Sequence, residues 1–380
     1  MKILQICAAY KPAYVYGGPT MSVSMLAEQL VKAGVSVEVF TTTANGKTEL
    51  DVAPSKPINV EGVMVRYFKR VTKDHSHYSP ALLTALWKEV KKFDIVHINA
   101  WWNLVSIFSC LIAMMRKVPV VLSARGTLSP YSFQNKNIGP KWAIHNLLGK
   151  RLLNGCQVHA TSERERESIN KLINPKSITV LPNFVKLTLT EPVTIDVPHV
   201  VLKLLFFSRI EEKKGLDILL NALKTVSAPY HLTIAGDGDE GYVTSLKTLA
   251  AANKIDDNIN WIGFRHNNKF ELLAEHDLFV LPSHDENFGN AVIEALSVGT
   301  AVLISEHVGL SDYVTHNQLG WICKNDEDAL SKAINDIFEA RKAELTRIRK
   351  EAPETIEKDF NGDNLVKRYI DMYDQLLNNG

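Results

Sequence analysis

Glu286 and Glu294 are separated by seven residues, and Phe288-Gly289 lies between them. Before them runs Asp277-Leu278-Phe279-Val280-Leu281, which reads as a buried strand ended by Pro282 and Ser283. After them, Asn290 to Val298 reads as a helix. Gly289 lets the backbone approach a ligand closely. The amides of Gly289, Asn290 and Ala291 are the unpaired donors of a helix start, where the dipole favours an anion. Glu286 and Asn287 fall in the loop. Glu294 falls one turn inside the helix, on the face of Asn290. One segment therefore offers donors for a phosphate and two carboxylates for hydroxyl groups, and a nucleotide sugar presents both. Taken alone, the same residues also suit a surface loop, a helix cap and an exposed Glu.

Two further places have the chemistry of anion binding. Arg209 and Lys214 bracket a short loop between a strand, Leu202 to Ser208, and a helix, Leu216 to Val226. Two cations converging on a helix start can neutralise a pyrophosphate. A charged loop is the alternative, since Glu211 and Glu212 lie between them. Gly17-Gly18 precede a helix over Met21 to Ala33, and either an anion-contacting loop or an ordinary turn fits them.

The run Glu286-x7-Glu294, with Phe288-Gly289 inside it and Ala295-Leu296-x-x-Gly299-Thr300-Ala301-Val302 after it, resembles the nucleotide-sugar motif of glycosyltransferase family 4. Arg209-x4-Lys214-Gly215 matches a second motif of that family. The resemblance implies an α/β chain of GT-B architecture: two facing Rossmann-like domains with parallel sheets and an interdomain cleft. It implies an acceptor-binding domain over residues 1–184 and a linker over 185–200, after the hinge-like Pro182-Asn183. A nucleotide-sugar domain over 201–359 and a helix over 360–380 crossing back to the first domain would complete the chain.

The same resemblance assigns roles. Arg209, Lys214 and the Gly289–Ala291 amides stabilise a departing diphosphate, Glu286 holds the donor sugar and Glu294 the ribose. Gly17, Gly18, Asn287, Phe288, Gly263 and Phe264 complete the donor side. His97, Trp101 and Trp102 fall on the acceptor side. The family commonly has a His before Gly126, aimed at the donor sugar; Arg125 stands there instead and is counted on the donor side. Arginine cannot act as a base at neutral pH but can clamp a phosphate or carboxylate.

The implied reaction is retaining transfer from a nucleotide sugar, UDP favoured over GDP, to a hydroxyl of a glycan or lipid-linked acceptor. Lipopolysaccharide, O-antigen or capsule assembly is the implied setting, with no metal or other cofactor. A GT-B phosphorylase, a sugar-nucleotide epimerase and a non-catalytic sugar-nucleotide-binding protein are the alternatives.

The elements that must position these residues follow the alternation of a parallel sheet. Strands are expected at residues 2–9, 35–42, 63–68, 93–99 and 118–123, and near 158–163 and 178–183. A second series starts at Leu202. One motif points elsewhere: Gly236, Gly238 and Gly241 spell G-x-G-x-x-G, with Asp256 about 20 residues on, as in a dinucleotide site. Asp256, however, precedes the strand 259–262, whereas a ribose-binding acid belongs at a strand's carboxyl end. Asp237-Gly238-Asp239 is therefore read as turn chemistry, not as a metal pair.

The 380 residues suffice for two domains, and 46% hydrophobic with 22% charged residues is a globular composition. The net charge of +1 hides an asymmetry: residues 1–186 hold 24 Lys/Arg against 11 Asp/Glu. Arg66, Lys69, Arg70, Lys73, Lys88, Lys91 and Lys92 cluster near aromatics, and Lys136, Lys141, Lys150 and Arg151 continue the trend. A solvated face and a peripheral contact with anionic lipid both fit; nucleic acid is not an expected partner. Cys7, Cys110, Cys156 and Cys323 show neither pairing nor metal spacing. The longest apolar run, Leu104 to Met115, is short of the about 20 residues that a membrane span needs. The expected location is the cytoplasm, with possible contact at the inner face of the membrane.

Overall fold

Apart from the short hairpin Ala44–Asn45 and Thr48–Glu49, the first unit's strands are β1 (Lys2–Ile6), β2 (Ser36–Thr42), β3 (Pro57–Val60), β4 (Val63–Phe68), β5 (Ile95–Asn99), β6 (Val120–Ser123), β7 (Gln157–Ala160) and β8 (Ser177–Val180). They form one sheet in the order β8-β7-β6-β5-β1-β2-β4-β3. Every pairing is parallel except the edge strand β3, which runs antiparallel to β4. Every residue of β5 and β6 is buried, as expected of central parallel strands covered on both faces. The chain builds outward from β1 in one direction through β2, then returns to place β5 on β1's other side. The sheet therefore has a switch point between β1 and β5, the place where such sheets bind ligands beyond their carboxyl ends.

The computed structural model describes residues 1–134, 142, 145–187, 200–265 and 268–378. Contacts divide the chain into two units, Met1–Val185 with Gly362–Gly380, and Lys186–Asn361. Most of the expected linker, and Lys136 and Lys141 of the basic stretch, lie outside the described residues.

In the first unit, α1 (Gly18–Lys32), α2 (Pro80–Glu89), α3 (Leu104–Met115) and α4 (Glu163–Asn170) follow strands. Ser79, Asn103 and Ser162 each cap the helix they precede by accepting an N–H three residues on. Leu82 and Leu86 of α2 and Val105 and Cys110 of α3 pack one face of the sheet. Val23, Leu26 and Leu30 of α1 pack the other, together with Leu365, Tyr369, Met372 and Tyr373 from the chain's last helix, Gly362–Asn378.

A buried polar chain fastens that last helix to the sheet. His97 exchanges hydrogen bonds with Tyr373 Oη at 2.7 Å and Ser123 Oγ at 2.6 Å. Ser123 bonds His159 in turn, and His159 reaches the Leu181 carbonyl at 2.9 Å. Tyr369 donates to the Pro182 carbonyl at 3.1 Å. Burial pushes both imidazoles well below their usual pKa, so both are neutral links in this network. The acceptor-side reading of His97 is corrected by this placement: the side chain is fully buried and both ring nitrogens are engaged within the core. Trp101 is corrected likewise, since it lies at 0% exposure in the core. Trp102 is half-buried, with its ring 6.3 Å from that of His145.

The basic cluster is partly spent inside the protein. Arg66 pairs with Glu38 at 2.8 Å and Glu89 at 2.9 Å and covers the Phe40 ring at 4.1 Å. Arg70 is buried against Glu49 and the carbonyls of Gly46 and Thr48. Lys69, Lys73, Lys88, Lys91 and Lys92 remain exposed.

The second unit repeats the plan with β9 (Leu202–Phe207), β10 (Tyr230–Ala235), β11 (Ile259–Gly263), β12 (Leu278–Leu281), β13 (Ala301–Ser305) and β14 (Gly320–Cys323). The order is β11-β10-β9-β12-β13-β14, all parallel, so the switch point lies between β9 and β12. Its helices are α5 (Leu216–Leu223), α6 (Glu240–Ala252), α7 (Lys269–Ala274), α8 (Asn290–Ser297), α9 (Ser311–His316), α10 (Glu327–Ala340) and α11 (Lys342–Asp359). Among the described residues, no helix of the chain is long and apolar enough to cross a membrane.

Candidate active site

The loop after β9 carries Arg209 and Lys214, and the loop after β12 carries Glu286. Both leave the carboxyl end of the second sheet at its switch point, so topology alone makes them neighbours. The two loops are joined through their backbones. The Lys213 carbonyl accepts from the His284 amide at 2.9 Å and from the Ser283 hydroxyl at 2.8 Å. Ser305 at the end of β13 donates to the Ser283 carbonyl at 2.6 Å. Gly215 has φ +69°, and a Cβ there would stand 2.0 Å from the Pro282 carbonyl oxygen. Only glycine permits this approach.

On this frame Lys214 Nζ donates directly to Glu286 Oε2. Both side chains are largely enclosed, at 14% and 19% exposure. Burial alone would raise the Glu286 carboxyl, but Lys214, Lys213 and Arg209 outweigh it and hold the carboxyl below its usual range. Glu286 is therefore an anion at neutral pH. Its backbone is fixed as well, since its amide donates to the His307 carbonyl and its carbonyl accepts from Gly309. Lys213 pairs with Asp285 at 2.9 Å and Arg209 with Glu211 at 2.7 Å. Arg209 is the more open, with 55% of its side chain exposed.

Gly289 precedes α8 with φ +99°, and a Cβ there would crowd Val292 and Val308 at 3.2 Å. Glu294 on α8 pairs with Lys269 at 2.6 Å. Here burial wins: it raises the Glu294 carboxyl although Lys269 opposes it. The two glutamates thus differ in balance: three cations outweigh burial at Glu286, and burial outweighs the one cation at Glu294.

The remaining sequence candidates are placed as follows. Phe288 is buried at 3% exposure, and its ring packs 6.2 Å from Phe360. Its ring belongs to the core of the second unit. Asn287 in the loop before α8, and Asn290 and Ala291 at its start, are half-buried. Gly263 ends β11 with φ +68°, and Phe264 beyond it is 65% exposed. In the first unit Gly17 caps α1 with φ +65° and open space where a Cβ would be, and Gly18 is the first helical residue. Arg125 is half-buried at the end of β6.

The G-x-G-x-x-G run has a packing explanation. A Cβ on Gly236 would meet the Ser208 carbonyl at 1.8 Å, and one on Gly238 the Ile210 carbonyl at 2.1 Å. These glycines let the turn press against the Arg209 loop, and Asp239 caps α6 by accepting from Tyr242 at 3.1 Å. Lys269, Lys213 and Ser283 were not singled out by sequence reasoning. Lys269 lies on a separate helix, and no local spacing ties it to Glu294.

Residues 16–189 match the family described as Glycosyltransferase Family 4, and residues 195–355 that described as Glycosyl transferases group 1. The chain belongs to these glycosyltransferases. The amylovoran biosynthesis glycosyltransferase AmsK of Erwinia amylovora is 31% identical over 44% of this chain and 43% of that one. The chain therefore aligns with less than half of AmsK. The putative colanic acid biosynthesis glycosyltransferase WcaL of Escherichia coli is 29% identical over 47% and 46%. An uncharacterized glycosyltransferase of Methanocaldococcus jannaschii is 24% identical over 98% of both chains.

Solved structures extend the likeness of fold to the length of this chain. Sucrose-phosphate synthase from Thermosynechococcus elongatus superposes with TM-score 0.77 at 20% identity, covering 100% of both chains. HepE of Anabaena, solved with UDP and glucose, gives 0.76 at 20% identity, covering 99% of this chain and 100% of HepE. The fold is GT-B, two Rossmann-like domains each built on a parallel sheet.

Proposed function

We propose that this glycosyltransferase moves a sugar, with retention, from a nucleoside diphosphate sugar to a hydroxyl of a glycan or lipid-linked acceptor. The observation that carries the reading is the Lys214–Glu286 pair beside Arg209, fixed at the switch point of the second sheet. In the proposed reaction the bond from the sugar's anomeric carbon to the β-phosphate oxygen breaks. The acceptor oxygen bonds that carbon on the same face, and its proton passes to the departing phosphate oxygen. Lys214, Arg209 and the amides at the start of α8 stabilise the negative charge gathering on the diphosphate. Glu286 accepts hydrogen bonds from the donor sugar, and Glu294 from the ribose. With two cations in place, the proposal assigns no role to a metal or other cofactor.

UDP is favoured over GDP, and HepE, which shares the fold, has been solved with UDP-glucose. The names of AmsK and WcaL place those relatives in the synthesis of amylovoran and colanic acid. We carry that setting, surface-polysaccharide assembly near the cytoplasmic membrane, to this chain as part of the proposal. Thermal unfolding with UDP, GDP and ADP tests the donor side. A ligand at 100 times its Kd stabilises the native state by about 2.7 kcal/mol. UDP is expected to raise the melting temperature at lower concentration than the other two. No shift with any of them would remove the reading.

The exposed Lys88, Lys91 and Lys92 lie beside Trp87, which is 41% exposed and stacked 5.0 Å from Arg116. We assign this face to anionic lipid, where each lysine is worth about 1 kcal/mol near the surface. Binding to phosphatidylglycerol vesicles is expected to fall at least about tenfold when all three become Glu. Equal binding by the variant would count against the assignment.

A further inference from the structure

Among the described residues, Arg125 is a cation without a counter-ion. Its guanidinium has five N–H donors. Nε donates to Asn99 Oδ1 at 2.9 Å, and Nη1 to Ser22 Oγ at 2.9 Å and to Asn183 Oδ1 at 2.6 Å. All three acceptors are neutral, and they come from three separate segments: the end of β5, α1 and the stretch after β8. They orient the side chain without balancing its charge. The two N–H groups on Nη2 meet no acceptor among the described residues.

The titratable neighbours supply no anion at ion-pair distance. Burial pushes the Cys7 thiol up to about 12, and it pushes the phenols of Tyr369 and Tyr373 up as well, so all three stay neutral. Among the described residues Glu165 is the one nearby acid, and it forms no ion pair with Arg125. Its oxygens accept instead from the amides of Gly126 and Thr161 at 2.7 Å each and from the Thr161 hydroxyl at 2.8 Å. A second polar group here is unfinished: Asn99 is 3% exposed, and its Nδ2 has no partner among the described residues. Arg125 also holds φ +50°, an uncommon conformation for a long side chain, and such strain gathers where ligands are clamped. A half-buried, pre-oriented cation with free donors is costly to keep unless an anion completes it.

We propose that Arg125 is a specificity-determining residue that binds a negatively charged group, a carboxylate or phosphate, carried by a sugar substrate. Which substrate carries it rests on the transferase reading above; the existence of the anion site does not. The fork that pairs with a carboxylate is otherwise occupied, so Nη2 takes the anion's oxygens through its own two N–H groups.

The test compares wild type with Arg125→Gln and Arg125→Lys by calorimetry. One arm uses UDP-glucuronate against UDP-glucose, with UDP alone as reference. The other uses glucuronate and glucose 6-phosphate against glucose, with and without saturating UDP. Wild type is expected to favour the anionic member of one pair by about tenfold or more, the scale of a charge-assisted hydrogen bond. Arg125→Gln loses that preference and keeps its affinity for UDP, and Arg125→Lys retains part of it. Preference in the first arm assigns the anion to the donor, and in the second to the acceptor. Equal wild-type affinity for charged and neutral members in both arms overturns the proposal, whatever the variants do. Failure of UDP to bind would strike the transferase reading alone, since the sugar arm without nucleotide still reads Arg125.

Discussion

Lys214→Ala and Glu286→Ala are each expected to reduce glycosyl transfer by about 100-fold or more, the scale of removing one group that stabilises a transition state. The two losses should differ in kind. Lys214 meets charge that grows as the diphosphate departs, so its removal lowers kcat more than it raises KM. Glu286 holds the donor sugar, so its removal lowers kcat for sugar transfer while UDP still binds. Each variant leaves a partner unpaired in a place only 14% to 19% exposed. Lys214→Ala removes the nearest cation from Glu286, and the carboxyl is then free to rise as burial demands. Initial rates, read beside a circular dichroism melt, separate lost chemistry from lost fold. Wild-type turnover by a folded variant of either residue would remove the site assignment.

Gly215→Ala is expected to damage both the site and the unit that holds it. The added Cβ would stand 2.0 Å from the Pro282 carbonyl oxygen and adopt φ +69°. Neither loop of the switch point can yield alone, because the Lys213 carbonyl ties them together. A loss of about 2–4 kcal/mol is expected, at the upper end for one substitution, with transfer falling in parallel. Gly62→Ala serves as the comparison: its φ is also positive, +89°, and nothing lies within 4 Å of the new Cβ. Strain alone is expected to cost that variant about 1 kcal/mol. Urea unfolding midpoints compare the two, and equal midpoints would show that the loops are not locked together at Gly215.

Much of this architecture is legible in local order. Apolar strands alternating with helical spacing yield two parallel sheets, and each strand's end locates a loop. Arg209, Lys214, Glu286 and Glu294 could be singled out because their spacing places them at strand ends and on one helical turn. What spacing does not show is direction within a buried element. His97 lies within β5 and Trp101 just beyond its carboxyl end, as ligand-side residues would, yet both side chains turn into the core. The reason lies 276 residues away, in the hydroxyl of Tyr373 that meets His97. Phe288 stands inside the motif, and its ring packs against Phe360, another contact that spacing does not show. The Lys269–Glu294 pair and the neutral cradle of Arg125 are likewise contacts between distant segments, and no single window of sequence contains them.

A crystal structure of the protein with UDP-glucose bound tests the central claim most directly. The account predicts the β-phosphate within hydrogen-bond distance of Lys214 Nζ and the Arg209 guanidinium. It also predicts sugar hydroxyls on Glu286 and the ribose on Glu294, with the Lys214–Glu286 pair now shared with the ligand. A nucleotide bound away from the carboxyl ends of β9 and β12, with that pair untouched, would contradict it.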